Sequence, residues 1–133
     1  DKDELWTTME HLYKGGMWFK KKSVLQAESH YDTEKSADGT TDLRTTYKPY
    51  DNNHSSINSG VPSAADAGNY FFLPALGFYG SGLLIGVGSN GFYWSSSAYP
   101  WGSNSAYRLN FVSGYVNVND SFRNFGLRVG AFE

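Results

Sequence analysis

The sequence predicts an α+β domain, in which one N-terminal helix precedes an antiparallel sheet joined by long loops. Apolar residues follow helical spacing over residues 3–14, whereas side chains alternate with period two on either side of Ser113-Gly114. From Tyr70 to the end, 16 of 64 residues are aromatic and are mixed with Gly, Ser and Asn, which is typical of short strands and tight turns. Disordered segments are poor in aromatic residues, so we expect this half to fold.

The helix is predicted over residues 3–14 because both of its ends carry suitable signals. Asp1 to Glu4 form a capping-box pattern, and Gly15-Gly16 supplies a C-terminal stop. The apolar positions at helical spacing are Leu5, Trp6, Met9, Leu12 and Tyr13. After this helix, residues 17–19 suggest a short strand.

The middle of the chain carries weaker signals. Residues 23–44 are weakly patterned, and residues 45–69 read as a long polar loop rich in Pro, Gly and Asn. Residues 70–73 predict a buried strand, and the six glycines within 77–91 predict a turn-rich crossing.

Strands are predicted for the C-terminal part at 91–95, 106–112, 115–119 and 126–129. Ser113-Gly114 is a hairpin turn between two of them. Alternation places one set of side chains inward and the other outward, which favours an antiparallel sheet with one covered face. The inward set is Leu109, Phe111, Val116 and Val118, and the outward set is Arg108, Asn110, Tyr115 and Asn117.

Composition narrows the functional classes. The chain has 133 residues, about one domain, and we expect a single domain over residues 1–133 that is the C-terminal part of a longer chain. Its net charge of −2 argues against a nucleic-acid partner. It has no cysteine, which excludes disulfides, thiolate metal sites and thiol nucleophiles. Its apolar runs are too short for a membrane span, so no membrane insertion is expected.

The short motifs favour neither catalysis nor a cofactor. Residues 86–91 match G-x-G-x-x-G, but the following residues predict a strand instead of the helix that would bind a pyrophosphate. The serines at 95–97 lack a nucleophile-elbow pattern. His30-Tyr31-Asp32 and Asn119-Asp120 offer too few ligands for a strong metal site. We therefore predict no enzyme activity, no metal and no cofactor.

Two parts of the chain, residues 1–20 and 70–130, carry strings that are typical of a known domain. The strings are Asp3 to Thr8, Gly15-Gly16, Phe72 to Ala75, Gly77-Phe78, Val87 to Ser96, Ala106, Leu109, Phe111, Arg123, Gly126 and Val129. They resemble the Fibrobacter succinogenes major paralogous domain, a C-type-lectin-like domain of bacterial surface proteins. The resemblance implies a C-type-lectin-like fold that here lacks its first strands. The calcium tripeptide of sugar-binding C-type lectins has no counterpart in this chain.

Near the C-terminus, Asn, Tyr, Asp, Ser and Phe residues alternate with Val116, Val118, Arg123 and Gly126. The positions concerned are Tyr115, Asn117, Asn119, Asp120, Ser121, Phe122, Asn124 and Phe125. This pattern resembles the variable proteins of diversity-generating retroelements, in which adenine mutation converts Asn codons into codons for Tyr, Asp, Ser, Phe and Arg. An ordinary member of the fold, with Asn-rich turns, remains the alternative.

The resulting functional hypothesis is a ligand-binding module or adhesin at a bacterial cell surface, with a protein or surface glycan as partner. Aromatic residues would supply contact area, and Asn and Ser would supply adaptable hydrogen bonds. Two alternatives are a structural pilus or surface-layer unit and a domain like the formylglycine-generating enzymes, whose chemistry needs cysteines. The predicted ligand-binding residues are Tyr99, Trp101, Ser103, Asn104, Arg108, Asn110, Tyr115, Asn117, Asn119, Asp120, Ser121, Phe122 and Asn124.

Overall fold

The computed structural model describes residues 5–8, 15–29, 40–42, 44–53 and 57–129. Within these ranges the chain is mostly β and forms two sheets. In chain order the elements are β1 (Leu5–Thr7), β2 (Gly16–Lys20), α1 (Lys22–Ala27), β3 (Tyr50–Asn53), β4 (Ile57–Ser59), a 3-10 helix (Ala67–Asn69), β5 (Tyr70–Pro74), β6 (Leu76–Gly80), β7 (Leu83–Val87), β8 (Gly91–Ala98), β9 (Ser105–Val112), β10 (Tyr115–Phe122) and β11 (Arg128–Val129).

The predicted α+β class with an N-terminal helix over 3–14 is wrong. Residues 5–7 form strand β1, and Leu5, Trp6 and Thr7 pair with β2 in an antiparallel register. Aromatic and β-branched residues suit a pleated surface, so pairing with β2 prevails over the local helical spacing. The rest of the predicted helix, apart from Thr8, lies outside the described residues. The α-helix that the described ranges contain is α1, with six residues.

The four-stranded sheet has the order β4-β1-β2-β5. Strand β2 pairs antiparallel with both β1 and β5, and β4 adds to β1 in parallel. The strand predicted at 17–19 is therefore confirmed as β2, and the strand predicted at 70–73 is confirmed as β5. The predicted long loop over 45–69 is wrong in part, because β3, β4 and the 3-10 helix lie within it.

The seven-stranded sheet has the order β3-β10-β9-β8-β6-β7, with β11 beside β8. The β9–β10 hairpin turns at residues 113–114, as its alternation predicts. Between 77 and 91 the chain forms the β6–β7 hairpin instead of an irregular crossing. The prediction of a purely antiparallel sheet is also wrong, because β6 and β11 pair with β8 in parallel.

The core lies between the two sheets. Met17 and Leu73 from the four-stranded sheet meet Phe111 and Val116 from the seven-stranded sheet in one buried cluster. The rings of Phe19 and Phe111 are 5.6 Å apart across this interface. In the described part of the chain, no helix is both long and apolar enough to cross a membrane.

Candidate functional site

The loop before β9 and the turn after β10 lie side by side at one end of the seven-stranded sheet. Ser105 and Phe122 are directly opposite each other in the β9–β10 pairing. The Arg123 backbone N–H donates to the Asn104 carbonyl oxygen at 2.9 Å, and the Arg123 Nε donates to the Ser105 carbonyl oxygen at 3.0 Å. These bonds hold residues 104 and 105 against Arg123, so the exposed side chains of the two segments lie at the same end of the sheet.

Two large aromatic side chains are exposed at this end of the sheet. Trp101 is 69% exposed and Phe122 is 56% exposed, although folding normally removes most aromatic area from water. Exposed Ser and Asn side chains accompany them. We call this set the loop-end surface, and it consists of Trp101, Ser103, Asn104, Phe122 and Asn124.

Tyr99 belongs to an aromatic cluster beside the loop-end surface. Its ring lies 5.4 Å from Tyr47 and 5.5 Å from Tyr107, in edge-to-face geometry in both cases. The Tyr47 hydroxyl donates to Asn119 Oδ1 at 2.8 Å, and the Asp120 backbone N–H donates to the same oxygen. Tyr99 and Asn119, both predicted ligand residues, are therefore already engaged in contacts within the fold.

The environment of Tyr107 keeps its phenol neutral. Burial raises the pKa of Tyr107, and the nearby phenols of Tyr99 and Tyr47 and the carboxylate of Asp120 raise it further. A polar contact with the Lys48 backbone acts in the opposite direction and lowers the pKa. Among the described residues, no group lies in good hydrogen-bonding geometry to the Tyr107 hydroxyl. The Tyr107 side chain is thus a packing group and not a general base at neutral pH.

The outer face of the β9–β10 hairpin carries a polar group that is less exposed than the alternation predicts. Arg108, Asn110 and Tyr115 are half-buried, and Asn117 is only 6% exposed. Asn117 Nδ2 donates to the Tyr115 hydroxyl at 2.8 Å, and the Arg108 guanidinium lies 5.1 Å from the Phe92 ring centre. The prediction that these four residues are exposed is wrong. Period-two alternation assigns a side chain to a face but does not report how much that face is covered.

Three buried polar atoms of this outer-face group have no hydrogen-bond partner among the described residues. Burial lowers the pKa of Arg108, whereas Tyr115 and Asp120 oppose that shift. Among the described residues, nothing hydrogen-bonds to Arg108 Nη1, Asn110 Oδ1 or Asn117 Oδ1, although all three atoms are buried. Such groups weaken the fold unless water or another polar partner reaches them.

The predicted residues do not form one site. Asn117 and Phe122 are five residues apart on β10, about 16 Å along a strand, so the outer-face group and the loop-end surface are separate. A third set lies near the strand ends, where Ser121 is half-buried and Asp120 is opposite Tyr107 in the pairing. This third set is Tyr99, Asn119, Asp120 and Ser121.

The glycine motif at 86–91 is a turn between β7 and β8. Gly86 and Gly88 have φ values of 76° and 83°, and a strand follows them. The dinucleotide-binding interpretation, which needs a following helix, therefore finds no support. No cluster of three or more His, Cys, Asp or Glu within metal-binding reach occurs among the described residues. The predicted weak metal candidate at 30–32 lies outside those residues.

A polar pocket of about 400 Å³ lies on the outer face of the four-stranded sheet, away from all thirteen predicted residues. Trp6, Lys20 and Tyr70 line it from three neighbouring strands. Pro62, Ser63, Asp66 and Asn69 line it from the segment before β5, and Glu28 lines it from the end of α1.

Sequence reasoning misses this pocket because its residues come from distant parts of the chain. The strand register brings Lys20 opposite Tyr70 and places Trp6 on the neighbouring strand. That register depends on the pairing of β1, β2 and β5, which no local pattern specifies. The one available signal is the cluster of Pro, Ser, Asp and Asn within 62–69, and it predicts only a loop.

Comparison with protein-family models, with curated proteins and with solved structures finds no match to this chain. The resemblance to the Fibrobacter succinogenes major paralogous domain and to retroelement variable proteins therefore stays a prediction.

Proposed function

We propose that this protein is a non-enzymatic binding module of the bacterial cell surface, and that its loop-end surface contacts a protein ligand. The observation that carries the proposal is the exposure of Trp101 and Phe122 on two segments held together by backbone hydrogen bonds. Aromatic side chains of this kind dominate binding hot spots, because they bury a large area at a small cost in conformational entropy.

The composition of the loop-end surface favours binding over catalysis. Its five members are Trp, Phe, Ser and Asn residues, and none of these side chains titrates near neutral pH. Such a surface offers contact area and hydrogen bonds but no general acid or base. Ser103, Asn104 and Asn124 are exposed, so their hydroxyl and amide groups can pair with the polar groups of a ligand.

A protein ligand is favoured over a surface glycan by the degree of exposure. Trp101, at 69% exposed, is available to insert into a pocket of a partner, as aromatic anchors of protein interfaces do. A surface glycan is the alternative that the experiment distinguishes.

The test is to probe an array of bacterial and host extracellular proteins, and a glycan array, with the labelled protein. We expect protein hits, and Trp101→Ala or Phe122→Ala should weaken them by about 1–3 kcal/mol, roughly 5- to 150-fold in Kd. Tyr79→Ala is the matched control, because Tyr79 is 57% exposed but lies on β6, outside the loop-end surface.

Two results would contradict the proposal. In one, Tyr79→Ala weakens binding as much as Trp101→Ala does, which would make the aromatic effect nonspecific. In the other, no protein on the array binds; glycan hits that Trp101→Ala weakens would then replace the protein ligand by a glycan.

A structural assembly unit is the second candidate, because the β6–β7 hairpin exposes apolar side chains. Leu83, Leu84 and Ile85 are 66%, 50% and 43% exposed, and β7 lies at the edge of its sheet. An edge strand with exposed apolar residues is suited to pairing with a second copy of the same chain. Sedimentation analysis tests the second candidate, since an assembly unit should form oligomers that Leu83→Lys disrupts.

Diversification by a retroelement receives mixed support from residue exposure. Phe122 and Asn124 are exposed, as variable ligand contacts should be. Asn117, in contrast, is 6% exposed and bonded to Tyr115, so substitutions there would disturb the fold. Comparison of gene copies from one genome would test this interpretation, which predicts variation at 122 and 124.

A further inference from the structure

We infer that the polar pocket on the four-stranded sheet is a second binding site, and that its ligand is a neutral, hydroxyl-rich molecule such as a monosaccharide unit. The inference does not depend on the function proposed for the loop-end surface, because the two regions share no residue. Its volume of about 400 Å³ lies within the range of small-molecule sites.

The wall of the pocket is preformed by hydrogen bonds within the chain. The Lys21 backbone N–H donates to the Asn69 carbonyl oxygen at 2.9 Å, and Lys21 Nζ donates to the Gly68 carbonyl oxygen at 2.8 Å. The Asp66 backbone N–H and the Ala67 backbone N–H both donate to the Ser63 carbonyl oxygen. A wall held in this way needs little ordering when a ligand binds, which favours affinity.

The charges of the pocket disfavour an anionic ligand. Lys20 Nζ lies 2.9 Å from Glu28 Oε2, and its ammonium is 5.9 Å from the Tyr70 ring centre. This ion pair neutralises the lining lysine, and the Asp66 carboxylate leaves the lining with a net charge of −1. Lys21, the other lysine beside the wall, donates to the Gly68 carbonyl oxygen and is not a lining residue. An anion in the pocket would therefore meet repulsion from Asp66, and the lining cation, Lys20, is held in its ion pair.

Polar groups of the pocket wall are suited to hydrogen bonds with the hydroxyl groups of a ligand. Asp66 Oδ2 accepts from the Ser63 hydroxyl. Within the described part of the chain, Asp66 Oδ1 and the Asn69 side-chain amide hold no hydrogen bond. A carboxylate oxygen accepts from a hydroxyl, and an amide both donates and accepts, so together they suit adjacent hydroxyls of a sugar ring. Trp6 adds an aromatic lining residue for the C–H face of such a ring.

The test is to titrate the intact protein with glucose, galactose, mannose and N-acetylglucosamine, and to follow the backbone amide resonances by NMR. We expect at least one sugar to shift resonances of residues 62–70, with a Kd in the millimolar range because the ligand is small. Sialic acid and glucosamine serve as anionic and cationic comparisons. Both should bind more weakly than the best neutral sugar.

Two variants identify the residues responsible. Asn69→Ala and Asp66→Asn should each weaken binding at least tenfold, while leaving the melting temperature nearly unchanged because both residues are exposed. Gln26→Ala is the control, since it removes an exposed carboxamide of α1 that lies in neither the pocket lining nor the loop-end surface, and it should leave sugar binding intact.

The inference is overturned if none of the four neutral sugars shifts these resonances, or if Asn69→Ala binds as wild type does. It is also overturned if only sialic acid or only glucosamine binds, because the site would then recognise charge. None of these outcomes bears on protein binding by Trp101 and Phe122, which the array experiment measures separately.

Discussion

Gly91 shows how one missing side chain positions the central residue of the core. A Cβ built on Gly91 would overlap the ring of Phe111, which is fully buried. We predict that Gly91→Ala destabilises the protein by about 1–3 kcal/mol, because the ring must move within a close-packed core. Urea unfolding measures this loss, and Phe111→Leu should reduce it in the double variant, since the two sites are in contact.

Gly68 supplies the control for this prediction. A Cβ at Gly68 meets no atom within 4 Å, and its φ lies outside the left-handed region. Gly68→Ala should therefore be neutral or slightly stabilising. An equal loss at both glycines would show that backbone freedom, and not the Phe111 ring, explains the effect at Gly91.

Tyr107 should make stability sensitive to alkaline pH. Burial raises its native pKa above the ordinary value of 10.0, so the native chain keeps a proton that the unfolded chain loses. The stability contribution of Tyr107 is complete below pH 10.0 and is lost as the pH rises through the raised value. Thermal melts of Tyr107→Phe should match wild type closely at pH 7 and show a smaller loss above pH 10. A wild-type alkaline loss that the variant reproduces in full would contradict this assignment.

At the scale of the element, the β6–β7 hairpin depends on Gly77. This glycine has a φ of 65°, and a Cβ there would overlap the Ile85 carbonyl oxygen of the paired strand. Gly82, in the turn, has a φ of 76° but open space around it. We predict that Gly82→Ala costs about 1–2 kcal/mol from backbone strain alone and that Gly77→Ala costs more.

Hydrogen exchange of the amides at 78–87 measures both effects locally. Gly77→Ala should remove protection across the hairpin, whereas Gly82→Ala should lower it only slightly. Equal protection in the two variants would mean that the close approach of Gly77 to Ile85 has no energetic role.

At the scale of the whole molecule, stability and binding should depend on different aromatic residues. Phe111 is fully buried, and its ring lies 5.6 Å from Phe19 and 6.1 Å from Tyr93, so it contacts both sheets. We predict that Phe111→Ala costs about 3–5 kcal/mol of unfolding free energy by opening a cavity. Trp101→Ala should stay within about 0.5 kcal/mol because Trp101 is exposed. Chemical unfolding of both variants checks this, and comparable losses would place Trp101 in the core.

The sequence predicts the strands that carry a strong local pattern. The β9–β10 hairpin follows from alternation around Ser113-Gly114, and the strand at 70–73 follows from its continuous apolar run. Strand β1 is missed because Leu5 and Trp6 fit a helical spacing, and only pairing with β2 and β4 selects the extended form. Parallel pairs such as Arg128 with Tyr93 are likewise set by tertiary structure.

The candidate site is predictable to the same extent. Trp101 is identified because no core periodicity requires an aromatic residue in its loop, and it is exposed. Phe122 is also exposed, although it shares the parity of the inward Val116 and Val118. Asn117 has the outward parity that the alternation requires, yet neighbouring side chains cover it. The lining of the polar pocket forms only when β1, β2 and β5 pair in register, so no single stretch of the sequence predicts it.

The stretch from 50 to 59 has a consequence for how the chain folds. It gives β3 to one sheet and β4 to the other, where Asn53 pairs with Tyr115 and Ile57 pairs with Leu5. Each pairing closes a loop of about fifty or sixty residues. The chain therefore loses conformational entropy before the contacts of the pair stabilise the fold. Folding should therefore be slow, on the millisecond-to-second scale of non-local β proteins. The chain passes between the sheets again where β5 ends at Pro74 and β6 begins at Leu76, so we expect the two sheets to complete their pairing together.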